Sequence, residues 1–136
     1  MNKVFIITGG NIGDKKKNLE TAEKMIEEQI GPIIQTSKIY ETEAWGIIDQ
    51  PSFYNQVLIV ATNFPAGKVL QKMLKIEEDM GRVRTIKNAA RNIDIDILFF
   101  NDDIVNEENL TIPHPQMINR RFVLMPLNEI APAKNH

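Results

Sequence analysis

The chain has 136 residues, 43% of them hydrophobic, which suits one globular domain spanning residues 1–136. Its 16 Lys and Arg residues against 18 Asp and Glu residues give a net charge of −2, which argues against a general nucleic-acid binder. The absence of cysteine excludes disulfides and thiolate chemistry, and without a ~20-residue apolar run or a signal peptide we expect a soluble cytoplasmic protein with no membrane partner.

The hydrophobic pattern predicts strands and helices in alternation. The first half is predicted to contain a strand at Val4–Thr8, a helix from the N-cap Asp14 to Gly31, and extended segments at Ile33–Thr42 and Phe53–Thr62. The second half is predicted to contain a helix from Pro65 to Gly81, an aperiodic segment at Arg82–Arg91, a strand at Ile93–Phe100, and a short strand at Ile104–Val105 that pairs with it. The prolines from Pro113 onward predict only short helices in the tail. This order is typical of an α+β plait, a four-stranded antiparallel sheet with both helices on one face.

The glycines at the end of the first strand do not form a known phosphate-binding motif. Gly9-Gly10-Asn11-Ile12-Gly13 lacks the dinucleotide-binding spacing, and Lys15 is not preceded and followed by the residues that a P-loop requires. We interpret this segment as a turn between the strand and the helix.

A pair of acidic residues gives the strongest local signal for a site. In Ile93–Ile97, alternation puts the isoleucines on one face of a strand and Asp94 and Asp96 on the other, about 7 Å apart. Two neighbouring carboxylates suit a divalent cation, and their hard oxygen atoms favour Mg²⁺. The alternative is an ordinary amphipathic strand with solvated carboxylates.

The segment that precedes these carboxylates is strongly basic. It contains Arg82, Arg84, Lys87 and Arg91 and no acidic residue. Guanidinium groups bind phosphate oxygens in pairs of hydrogen bonds, so cations beside a metal site indicate phosphoryl transfer. A solvated basic loop is the alternative.

Three further sets of residues have either a functional or a purely structural interpretation. Glu77 falls on the apolar stripe of the second helix, either as a structural or snorkelling carboxylate or as a group that orients a basic residue. Phe53 and Asn55 share a strand face, which suits a flat heterocycle but is also compatible with the edge of a core. His114, between two prolines, is either structural or a phosphate contact.

The sequence resembles the 6-hydroxymethyl-7,8-dihydropterin pyrophosphokinase (HPPK) family of folate biosynthesis over nearly its whole length. The similarity lies in the runs Gly9–Asp14, Tyr40–Thr42, Asp49–Asn55, Ile76–Glu77, Gly81–Arg84, Arg91–Leu98, Leu110–Pro115 and Pro126–Pro132. The run Arg91–Ile97 resembles the family signature R-x-L-D-L-D-I. The sequence departs from the family pattern in having Ala89-Ala90 in place of Gly-Pro and no Trp in the basic segment. It also has Leu74 where some members have Gln, and Asn109 where some have a basic residue.

The resemblance implies a modified ferredoxin-like plait that acts as a monomer on small-molecule substrates. It implies transfer of pyrophosphate from the co-substrate ATP to the pterin hydroxymethyl group, with release of AMP. Asp94 and Asp96 would hold two Mg²⁺ ions, while Arg82 and Arg91 would stabilise charge on the transferred group. The implied ATP-binding residues are Glu77, Arg84, Arg91, Ile97, Thr111, His114 and Arg120. The implied pterin-binding residues are Thr42, Glu43, Trp45, Phe53, Asn55 and Phe122.

Two other classes of function remain open from the residues. One is a two-metal nucleotidyl- or phosphohydrolase that uses the same carboxylates, although it would not need the aromatic clamp that the resemblance implies for Phe53 and Phe122. The other is a ligand- or RNA-binding plait without catalysis, although no RNP-type sequence is present.

Overall fold

A computed structural model describes residues 1–43, 51–81, 92–114 and 121–130, with only the backbone of residues 121 and 122. The strands are β1 (Asn2–Gly10), β2 (Ile33–Thr36), β3 (Tyr40–Thr42), β4 (Phe53–Thr62), β5 (Asp94–Phe100), β6 (Val105–Glu107) and β7 (Leu110–Ile112). The helices are α1 (Lys15–Gln29), α2 (Ala66–Asp79) and α3 (Arg121–Ile130). No helix in these ranges is long and apolar enough to cross a membrane.

The main sheet is antiparallel and runs in the order β2-β4-β1-β5, with β3 also paired to β4. Its central strand β1 contains Val4–Ile7, a continuous apolar run that is buried on both faces. The α+β prediction is confirmed, with a second small sheet formed by β6 and β7.

Helices cover both faces of the main sheet. Helices α1 and α2 pack on one face, where Ile26 and Met73 meet Ile6 and Leu58. Helix α3 packs on the opposite face, where Val123 and Leu127 meet a cluster made of Phe5, Ile7, Val57, Ile59, Leu98 and Phe99. We call these the α1/α2 face and the α3 face.

Strand β5 contains a bulge that shifts its pairing with β1. Phe5 pairs with Phe99, whereas Ile6 pairs with Ile97, so Leu98 is an extra residue on β5. Both Leu98 and Phe99 therefore lie on the α3 face.

Two strand predictions need correction. The turn predicted at Gly9–Gly13 begins later, because Gly9 and Gly10 continue β1 and pair with β4. The extended segment Ile33–Thr42 is divided into β2 and β3, because the Ser37 hydroxyl accepts a hydrogen bond from the Val57 amide and donates one to the Lys38 carbonyl between them.

The pairing predicted for the second short strand was also wrong. Val105 belongs to a local hairpin with β7, not to a pair with β5, because Glu108 and Asn109 form a tight turn. Helix α3 is ten residues long and includes Pro126. Packing of its apolar side against the sheet outweighs the unfavourable proline.

Candidate active site

The α3 face of the sheet carries a row of residues that crosses four strands. Asn55 of β4 pairs with Gly9 of β1, and Gly9 pairs on its other side with Asp94 of β5. Tyr40 of β3 continues the row, because it pairs with Asn55. Directly paired residues project to the same face, so Asn55 and Asp94 flank a position that has no side chain.

The missing side chain at Gly9 leaves space that Asn55 uses. A β-carbon added to Gly9 would collide with the Asn55 Oδ1 atom and would lie 3.2 Å from its Cγ atom. The carboxamide of Asn55 therefore lies across Gly9, and Asn55 is only 5% exposed. Its Nδ2 atom lies 3.5 Å from the Thr42 Oγ1 atom, at the long limit of a hydrogen bond. Sequence reasoning missed Gly9, although the Gly9-Gly10 pair in a strand signals close approach of another group.

Asp94 and Asp96 lie on the α3 face, as the alternation predicts. The residues between and beside them, Ile93, Ile95 and Ile97, are buried in the core of the α1/α2 face. Both carboxylates are half-buried, and Asp96 pairs with Ile7, two residues before Gly9 on β1.

These carboxylates fit the chemistry of Mg²⁺. In the described residues, no three Asp, Glu, His or Cys side chains come close enough together to form a metal cage. Mg²⁺ does not need such a cage, because it commonly binds one or two carboxylates together with waters and substrate phosphates.

Glu77 anchors the strand that carries the two carboxylates. It is 2% exposed, and its Oε2 atom accepts a 2.7 Å hydrogen bond from the backbone N–H of Ile95. This amide lies between Asp94 and Asp96 in sequence, so α2 holds β5 at the level of the site. Burial excludes the interpretation of Glu77 as a snorkelling surface carboxylate.

The residues predicted for the pterin lie near the β3–β4 end of the row. Thr42 pairs with Phe53, and both residues are half-buried, whereas Glu43 is exposed. Phe53 is two residues before Asn55 on β4, which puts both side chains on the α3 face. The structure therefore brings Thr42, Phe53 and Asn55 together.

Besides Glu77, the described residues predicted for ATP lie on β5, in β7 and just after β7. Ile97 is buried in the core, while Thr111 of β7 is exposed. His114 is half-buried, and its backbone N–H donates to the Leu98 carbonyl at 3.1 Å. This bond holds the segment after β7 against β5.

Several predicted site residues lie outside the described residues. They are Trp45, Arg82, Arg84, Arg91 and Arg120, together with the side chain of Phe122. Their roles stay predictions.

Helix α3 is fixed to β3 by Glu129. Its carboxylate accepts hydrogen bonds from the Tyr40 hydroxyl at 2.7 Å and from the Lys38 backbone N–H at 3.0 Å. The hydrogen bond to Glu129 raises the pKa of Tyr40, because the carboxylate stabilises the protonated phenol. Glu129 therefore joins the helix on this face to the strand that ends the row.

The architecture is that of a ferredoxin-like α+β protein with a polar site on one face of its sheet. Residues 5–132 match the family model described as 7,8-dihydro-6-hydroxymethylpterin-pyrophosphokinase (HPPK). The chain belongs to the HPPK family, which confirms the resemblance found from the sequence motifs.

Relatives occur both as short proteins and as parts of longer ones. The 2-amino-4-hydroxy-6-hydroxymethyldihydropteridine pyrophosphokinase of Bacillus subtilis is 36% identical over 130 residues, which cover 95% of this chain and 78% of the relative. The folic acid synthesis protein FOL1 of Dictyostelium discoideum is 43% identical over 131 residues, which cover 96% of this chain but 20% of that relative. The crystal structure of Plasmodium falciparum HPPK-DHPS with pteroate has a TM-score of 0.76 at 21% identity and covers 93% of this chain and 38% of that chain, which supports the fold.

Proposed function

We propose that this chain is a cytoplasmic, monomeric pyrophosphokinase that transfers pyrophosphate from ATP to 6-hydroxymethyl-7,8-dihydropterin. The observation that carries the proposal is the row Asn55–Gly9–Asp94, which sets an amide and a carboxylate on one face of the sheet. Membership of the HPPK family and the name of the Bacillus subtilis relative support the same reaction.

The pterin end of the site uses shape and hydrogen bonding. The ring of Phe53 stacks on the flat heterocycle, and the Asn55 carboxamide offers both a donor and an acceptor to its edge. Gly9 leaves the space that this arrangement needs. Phe122 would form the second side of the aromatic sandwich, and the backbone of Thr42, Glu43 and Trp45 would bind the edge of the pterin together with Asn55.

The phosphate end of the site holds the negatively charged co-substrate. Asp94 and Asp96 would hold two Mg²⁺ ions, which neutralise the polyphosphate when bound. Arg82, Arg84 and Arg91 bind phosphate oxygens through their guanidinium groups. Glu77 fixes β5, while Thr111, His114 and Arg120 contact ATP. The side chain of Ile97 is buried on the α1/α2 face, so Ile97 would contact ATP through its backbone.

The reaction is an in-line displacement at the β-phosphorus of ATP. The pterin hydroxymethyl oxygen forms a bond to that phosphorus, the bond to the α,β-bridging oxygen breaks, AMP leaves and the hydroxyl proton is released. Positioning of the two substrates and neutralisation of charge supply the rate enhancement, because phosphoryl transfer asks little covalent chemistry of the protein.

The deciding experiment identifies the nucleotide product. The protein is incubated with ATP, Mg²⁺ and 6-hydroxymethyl-7,8-dihydropterin, and AMP is expected only when the pterin is present. Formation of ADP, or of AMP without pterin, contradicts the proposal.

A pair of matched variants tests the carboxylate assignment. Asp96→Asn removes a charge from the proposed metal site and is expected to lower turnover by at least about 100-fold, as the loss of one transition-state contact can. Asp103→Asn removes a charge from an exposed residue of the same region and serves as the control. Full activity in a folded Asp96→Asn variant refutes the metal assignment.

A further inference from the structure

Lys15, the first residue of α1, contacts the start of β4. Its ammonium group donates to the Ser52 carbonyl oxygen at 3.1 Å and lies 3.4 Å from the Ser52 hydroxyl. The same group lies over the ring of Tyr54, 4.5 Å from its centroid. Sequence reasoning assigned no role to any of these three residues.

The two residues that Lys15 contacts flank Phe53 in the sequence. Ser52 and Tyr54 are its two neighbours, and Tyr54 packs on the α1/α2 face where α1 lies. Because side chains alternate along a strand, holding both neighbours from one face directs Phe53 to the other face. Phe53 is thereby presented on the α3 face beside Asn55.

Further hydrogen bonds hold the same short stretch from two other elements. Asn11, which is 1% exposed, donates from Nδ2 to the Pro51 carbonyl at 3.0 Å. The Ser52 hydroxyl donates to the Glu41 carboxylate across the β3–β4 pair. Residues 51–54 are thus tied to the β1–α1 connection and to β3 at the position where Thr42 pairs with Phe53.

We propose that Lys15 is a positioning residue for pterin binding, which fixes the orientation of Phe53 from the opposite face of the sheet. The proposal rests on the proposed function, because it assumes that Phe53 stacks on the dihydropterin. Lys15 itself touches no substrate, since α1 lies on the α1/α2 face. Its removal therefore affects the pterin and not ATP, because the carboxylates proposed to hold the Mg²⁺ ions for ATP lie on β5.

The test compares Lys15→Met with the control Lys16→Met. Methionine keeps an unbranched apolar side chain and removes the side-chain N–H donors. Lys16 is the next residue of α1 and is exposed. Lys15→Arg restores a cation with several donors, and Tyr54→Leu removes the ring while keeping an apolar side chain.

Each variant is assayed by its fluorescence-monitored affinity for dihydropterin in the presence of Mg²⁺ and a non-hydrolysable ATP analogue. The affinity for the analogue and the Tm are measured separately. Lys15→Met is expected to weaken dihydropterin binding by about tenfold, the effect of one charge-assisted contact, with analogue affinity changed less than about twofold. Lys15→Arg is expected to recover most of the loss, and Tyr54→Leu to reproduce part of it.

The outcomes separate this proposal from the proposed function. Unchanged dihydropterin affinity in Lys15→Met, or an equal loss of affinity for both ligands, overturns the positioning role. Phe53→Ala is measured in parallel. If Phe53→Ala weakens dihydropterin binding while Lys15→Met does not, only the positioning role fails; if Phe53→Ala has no effect either, the proposed pterin site fails with it.

Discussion

Replacing Gly9 with alanine tests whether the site needs an empty position between Asn55 and Asp94. The added β-carbon would overlap the Asn55 Oδ1 atom and would lie 3.2 Å from both the Asn55 Cγ atom and the Tyr54 carbonyl oxygen. The backbone of β4 is held in register with β1, so the Asn55 carboxamide is the group that must move. Its movement takes a donor and an acceptor away from the proposed pterin.

The size of the effect follows from the hydrogen bonds that are lost. Displacing the amide removes about 1–3 kcal/mol of binding free energy, which corresponds to a roughly 5- to 150-fold weaker dihydropterin affinity. The buried amide also loses its own partners, while alanine restricts the unfolded chain. We expect a net loss of roughly 1–2 kcal/mol in the free energy of unfolding, or a Tm lower by about 3–7 °C.

The assay is equilibrium binding of dihydropterin together with a thermal melt. Gly67→Ala is the matched control, because a β-carbon at Gly67 has no neighbour within 4 Å. Gly67 lies in α2, so this substitution is expected to stabilise the protein by up to about 1 kcal/mol without affecting binding. A folded Gly9→Ala protein that binds dihydropterin as tightly as the parent refutes the role assigned to Gly9.

Three further predictions concern stability. Leu127→Ala removes a fully buried side chain between α3 and the sheet and is expected to lower the free energy of unfolding by about 2–5 kcal/mol in a denaturant titration. A loss below about 1 kcal/mol contradicts the packing described. Burial and repulsion from neighbouring glutamates such as Glu27 raise the pKa of Glu23, so its ionised form destabilises the fold. Glu23→Gln is therefore expected to raise the Tm at pH 7 and to increase the free energy of unfolding there by about 0.3–0.5 kcal/mol. This stabilisation is expected to disappear below the ordinary glutamate pKa of 4.5, and an equal stabilisation at pH 3 contradicts the prediction. The hydrogen bond to Glu129 raises the pKa of Tyr40, so this bond stabilises the fold fully below pH 10 and loses its effect as the pH rises through the raised pKa. The difference in Tm between the parent and Tyr40→Phe is therefore expected to narrow above pH 10; a difference that does not change with pH refutes the link between this hydrogen bond and the titration of Tyr40.

Local patterns in the sequence predicted the helices and strands better than they predicted which elements contact each other. The alternation of Asp94 and Asp96 with isoleucines was sufficient to assign their common face, because a strand's side-chain period is fixed by its backbone. The apolar stripe of α2 likewise identified Glu77 as an unusual carboxylate. Its hydrogen bond to Ile95 could not be foreseen, since it depends on how α2 packs against β5.

The row across the sheet also lay beyond local reasoning. It depends on the register of β1 against both β4 and β5, and register is set by tertiary packing and not by the composition of one strand. For the same reason the pairing of Val105 was predicted wrongly. Helix α3 is short, as predicted, but its inclusion of Pro126 could not be foreseen, because the apolar contacts that compensate for the proline come from the sheet.

The bulge at Leu98 determines which chemistry the α3 face displays. If β5 continued without it from the pair Phe5–Phe99, Leu98 would oppose Ile6, Ile97 would oppose Ile7 and Ile95 would oppose Gly9. That register would put Ile95 and Ile97 on the α3 face and turn Asp96 toward α1 and α2. The extra residue resets the phase of the strand, so that aromatic anchoring at one end and paired acids at the other occupy the same side. The position of the proposed metal ligands is therefore set by the count of residues in β5 as much as by their identity.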